Sequence, residues 1–80
     1  MKDYINIKSR GWSVRVDLDG IHRVSCVSTL IRDIRDRVNN WEAFQIGDDF
    51  VYDCGTASIR CISKDPHTRI IGFKEVGENA

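Results

Sequence analysis

Eighty residues, 41% hydrophobic and 30% charged, suffice for one soluble domain with a modest core, and nothing in them is Pro-rich, repetitive or low-complexity. Twelve basic and twelve acidic side chains cancel, which argues against a non-specific nucleic-acid binder, whose affinity rests on a basic excess. The longest apolar runs fall far below the ~20 residues that cross a bilayer.

The opening MKDYINIKSR has no apolar run behind its lysine, so it is not read as a secretory signal. Three cysteines without a CxxC fit a reducing cytoplasm better than a disulfide-stapled fold. One domain over residues 1–80 is expected, with flexible ends at about 1–3 and 77–80.

In chain order, Tyr4–Lys8 alternates, with Ile5 and Ile7 on one side and Asn6 and Lys8 on the other. Ser9-Arg10-Gly11 supplies turn chemistry. Trp12–Leu18 is the clearest strand, with Trp12, Val14, Val16 and Leu18 facing one way. Asp19-Gly20 then signals a hairpin, because both residues tolerate positive φ. A three-residue turn there would pair Val16 with Val24 and Val14 with Cys26, burying more than the alternative register and leaving His22 at the rim of the core.

Ser28–Phe44 reads as the helix around which the rest is organised. Leu30, Ile31, Ile34, Val38 and Trp41 recur at steps of three and four and share one face. Ser28 is its expected N-terminal cap and Gly47 its C-terminal one. Three strands follow: Phe50–Cys54, Ala57–Ser63 and Arg69–Val76. A two-residue Gly55-Thr56 turn would pair Tyr52 with Ile59 and Phe50 with Cys61. Ser63–Thr68 is expected as a surface loop, since Pro66 cannot donate within a sheet. The fold class is therefore α+β: a small, mainly antiparallel, curved sheet, β-β-β-α-β-β-β, packed on one amphipathic helix. A closed small barrel is the alternative.

No spacing picks out a catalytic set. In the expected register Cys54 would lie on the order of 13 Å from the point opposite Cys61, too far for a disulfide or a shared zinc. His22 and His67 form no HxxxH or HExxH pair. There is no GxSxG and no Gly-rich phosphate cradle, and Asp17-Leu18-Asp19-Gly20 lacks the later ligands of a calcium loop. No enzyme activity, metal or cofactor is expected.

What remains is a polar surface in which arginine outnumbers lysine eight to four and aspartate outnumbers glutamate nine to three. Arginine is favoured in interfaces because its planar fork makes two-pronged contacts. The candidate partner-binding residues are Arg10, Arg15 and Arg23 on the first hairpin, Arg32 and Arg35 on the outer face of the helix, and the acidic pair Asp48 and Asp49. Trp12, beside the Gly11 turn, joins them if its edge is exposed.

In layout alone, the chain resembles the small inhibitors that phages and other mobile elements direct at host machinery, anti-CRISPR proteins among them. The lack of catalytic geometry, the balanced Arg/Asp-rich surface and exposed sheet edges lead to the expectation of a non-enzymatic module that binds a protein partner, an inhibitor or regulator of such machinery if the resemblance holds. A homodimer is compatible with the zero net charge. Nucleic-acid binding through the arginines is the alternative.

Overall fold

Strict alternation in the first two segments builds a hairpin whose apolar residues all fall on one side. Strand β1 (Tyr4–Ser9) and strand β2 (Trp12–Asp17) are joined by Arg10 and Gly11, whose φ angles of 53° and 81° define a tight turn matching the twist of the strands. The register sets Ile5 against Val16, Ile7 against Val14 and Ser9 against Trp12. The computed structural model describes residues 4–18, 24–53, 55 and 57–76, with the backbone alone at 24–26.

Helix α1 (Val24–Arg37) follows, then a single 3₁₀ turn (Trp41–Ala43), and strands β3 (Asp49–Tyr52), β4 (Ala57–Asp65) and β5 (Ile70–Glu75). The five strands form one mixed sheet in the order β1-β2-β5-β4-β3. Strands β2 and β5 run parallel; the other neighbours are antiparallel. The helix crosses one face and touches both edge strands. Leu30, Ile34 and Val38 meet Val14, Val16, Ile59, Ile71 and Phe73 in the core. The chain then closes that face with aromatic rings. Phe44 lies 5.6 Å from Phe73 and 6.4 Å from Phe50, both edge to face, the arrangement that ring quadrupoles favour.

Several expectations are corrected. The order is β-β-α-β-β-β, because the run from Val24 that reads as a third strand is the first turns of the helix. Val16 consequently pairs with Ile5 and Phe73, not Val24, and Val14 pairs with Ile7 and Ile71, not Cys26. Asp19-Gly20 and His22 lie outside the described residues, as do the ends 1–3 and 77–80.

The helix ends at Arg37 rather than Phe44. Asn40 takes an extended backbone and its side chain accepts from the Glu42 N–H at 3.1 Å, starting the 3₁₀ turn afresh. Gly47, at φ 100°, serves a later turn and caps no α-helix. In the β3–β4 hairpin Phe50 pairs with Ile59 and Tyr52 with Ala57, two residues from the expected register. Strand β4 runs on to Asp65, whose carboxylate accepts from the His67 and Thr68 N–H groups and shapes the turn around Pro66.

Candidate protein-interaction face

One helix covers one side of the sheet, and among the described residues nothing covers the other. Its residues can be read from the pairing. Across the five strands Tyr4 stands beside Asp17, Asp17 beside Lys74, Lys74 beside Arg60, and Arg60 beside Asp49. The next row holds Asn6, Arg15, Gly72 and Ser63, and the one after it Lys8, Ser13, Ile70 and Asp65. Five large apolar side chains are exposed among the described residues. Four of them, Tyr4, Val51, Ile62 and Ile70, lie on this face, and each is 45–49% accessible. Their concentration on one surface, rather than their number, separates them from ordinary scattered exposure.

Ile62 reaches the open face through an irregularity. The β4–β5 register shifts between Cys61 and Ser63, leaving Ile62 as an extra residue bulged out of the ladder. Beneath it Gly72 leaves the backbone bare, and a Cβ there would meet the Ser63 hydroxyl unless that hydroxyl turned aside. The result is a hollow of about 270 Å³ lined by Tyr4, Arg15, Asp17, Ile62, Ser63 and Phe73. A second, shallower one of about 380 Å³ lies on the other side of Ile62, against Arg60, Lys74, Glu75 and Val76.

The charges around Ile62 are fixed to different degrees. The Arg15 guanidinium stacks on the Tyr4 ring at 3.9 Å, which presents cation and aromatic as one flat unit. Arg60 grips Asp49 with two bonds, at 2.8 and 3.2 Å. That hydrogen bond holds the Asp49 carboxyl below its ordinary range and raises Arg60. Lys74 sits directly across from Arg60 on the antiparallel neighbour. Asp49 already answers the Arg60 charge and Asp17 stands beside Lys74, so the row is one of mixed charge in which Lys74 is the cation a partner's carboxylate would meet.

The sequence-derived candidates divide among several surfaces. Arg15 and Asp49 lie on the open face. Arg10, in the turn, reaches Asn39 beyond the helix end at 3.4 Å. Arg32 and Arg35 are exposed on the helix, away from the sheet, with Arg32 3.8 Å from Asp33. Asp48 accepts from the Gln45 N–H at 2.9 Å and so shapes its own loop. Trp12 is buried at 4% accessibility and shows no edge, because Val14 and Val16 share its inward face. Arg23 and Cys54 lie outside the described residues. Cys61 is buried, and burial pushes its thiol upward.

Tyr4, Arg60, Ile62, Ile70 and Lys74 were missed by reasoning from sequence. Alternation placed some of them outward, but no local signal announces a bulge or says which strands become neighbours. Comparison of the chain with family models, curated proteins and solved structures finds no match.

Proposed function

We propose that this chain is a small non-enzymatic protein-binding module, and that the open sheet face is its contact surface. The observation that carries the reading is the bulged Ile62, standing between two hollows and flanked by Arg15 on one side and by Arg60 and Lys74 on the other. An exposed apolar anchor ringed by arginine and lysine matches the centre-and-rim pattern of protein interfaces. The fitting partner offers an apolar side chain over Ile62 and a carboxylate toward Lys74. Inhibition or regulation of host machinery is the role we assign to such contact, in a reducing cytoplasm where the buried Cys61 thiol persists unpaired. The same chain has no helix, among the described residues, long and apolar enough to cross a membrane.

A second reading, single-stranded nucleic-acid binding, draws on the Arg15–Tyr4 stack beside Lys8, Lys74 and Arg60. Asp17, Asp49 and Asp65 on the same face repel phosphates, which favours the protein partner.

Affinity capture from lysate of the source organism tests the proposal, with the wild-type chain, Ile62→Asp, a Lys74→Glu/Arg60→Glu double variant and an Arg32→Glu/Arg35→Glu double variant as baits. The expected result is a discrete partner kept by the helix variant and lost by both face variants. Loss only in the helix variant overturns the assignment. Binding to DNA or RNA that weakens steeply with added salt transfers it to the second reading.

A further inference from the structure

The two edges of the sheet are finished differently. On β3 the carbonyl of Val51 faces away from β4, and the Arg37 guanidinium donates to it at 2.9 Å while lying 4.9 Å from the Phe50 ring. The last turn of the helix thus occupies one outward group of that edge. On β1 the situation follows from the turn. Across a two-residue hairpin the closing pair exchanges both backbone bonds, and the pairs alternate from there. Ser9/Trp12, Ile7/Val14 and Ile5/Val16 are therefore the bonded pairs, whereas Tyr4, Asn6 and Lys8 turn their N–H and C=O groups outward. The Ser13 N–H confirms the phase, since it leaves the hairpin to bond the Arg69 carbonyl at 2.9 Å.

We propose that β1 is a self-pairing edge, and that its occupant is β1 of a second copy, antiparallel, about a two-fold axis through Asn6. Only outward-facing residues can bond across such an edge, so the registers differ by two. The one centred on Asn6 engages every outward residue of the strand. It sets Asn6 against Asn6, and Tyr4 against Lys8 of the other copy, each pair exchanging both backbone bonds. The chemistry is self-complementary. Lysine stands opposite tyrosine rather than another lysine; Arg15 keeps one face of that ring and the Lys8 ammonium its bond to the Ser13 hydroxyl at 2.6 Å, so the backbone bonds carry the pairing. Centring on Lys8 instead would oppose two ammonium groups. On the inner side the same register lays Ile5, which is only partly buried, against Ile7 of the other copy, extending each core over the seam. Zero net charge removes long-range repulsion between copies. Because the axis stands perpendicular to the sheet, both open faces lie on one side and form a single surface.

One edge strand is a small interface, so the dimer is expected in the micromolar range rather than tighter. Sedimentation equilibrium over a wide concentration range, with circular dichroism to verify the fold, tests it. Asn6→Pro removes an outward N–H and no bond to β2, and Asn6→Asp brings two carboxylates together on the axis. Each is expected to weaken self-association at least about tenfold while the fold persists. Asn6→Asp should recover as its carboxyl is protonated, a response that strand damage would not give. A wild-type chain monomeric at millimolar concentration, or a dimer indifferent to both substitutions, overturns the proposal. A dimer broken by Ile62→Asp alone does so too, because it would place the contact on the open face.

Discussion

The indole N–H of Trp41 donates to the Ser9 hydroxyl at 3.1 Å, tying the segment after the helix to the edge strand β1 in the interior. Trp41 is 1% accessible and Ser9 is 9%, so the bond lies largely out of water. Trp41→Phe removes indole volume and leaves the hydroxyl unpaired, and is expected to cost about 2–3 kcal/mol in urea unfolding. Ser9→Ala alone should cost about 1–2 kcal/mol by orphaning the indole N–H. The double variant should cost less than the two together, by about 1 kcal/mol. Strict additivity would mean that the hydrogen bond contributes nothing.

Arg37 holds the opposite edge. Its guanidinium bonds the Val51 carbonyl at 2.9 Å and reaches Asp33 at 3.5 Å, one turn back on the helix. Arg37→Ala is expected to lower stability by about 1–2 kcal/mol and to release an unpaired strand edge, raising aggregation on heating. Arg35→Ala, a neighbour exposed on the same helix turn, should do neither. Light scattering during a thermal ramp separates the two variants, and equal behaviour would deny Arg37 its role at the edge.

Gly72 is favoured by proximity rather than by its backbone angles. A methyl group there meets the Ser63 hydroxyl across the β4–β5 ladder. Gly72→Ala is expected to cost about 1 kcal/mol and Ser63→Ala to restore most of it, because the Ser63 Cβ stays 3.7 Å from the new atom. Failure of the rescue would locate the strain in the bulge itself.

The Asp49–Arg60 pair sets a pH dependence with a definite sign. Arg60 holds the folded carboxyl below its ordinary value of 3.8, so the pair stabilises above that value and loses its effect as pH falls through the lower folded one. The groups are exposed, and the effect on stability is correspondingly small. An NMR titration should show the Asp49 midpoint rising toward 3.8 in Arg60→Gln. An unmoved midpoint would contradict the pairing.

Residues that face in were legible because alternation and helical period are local. Trp12, Val14, Val16, Leu30, Ile34 and Val38 are buried as their spacing requires. The run from Val24 to Val27 misled because β-branched residues favour strands, although Val24, Val27, Ile31 and Ile34 also keep helical steps. The β3–β4 register slipped by two, a shift that leaves every side chain on its own face and so escapes a pattern argument. The loop there depends on Asp53 and Gly55, both at positive φ. Parallel pairing of β2 with β5 joins distant segments, and no local signal encodes it. The candidate face went largely unseen for that reason. Its residues come from five strands, and arginine counting spread them over the helix instead.

Photo-crosslinking bears most directly on the claim that the uncovered sheet face meets the partner. A benzophenone amino acid replaces Ile62 in one chain and Arg35, on the outer surface of the helix, in another. Irradiation in lysate of the source organism is expected to give one discrete protein adduct from position 62 and none from position 35. Adducts from position 35 with none from position 62 would contradict the account.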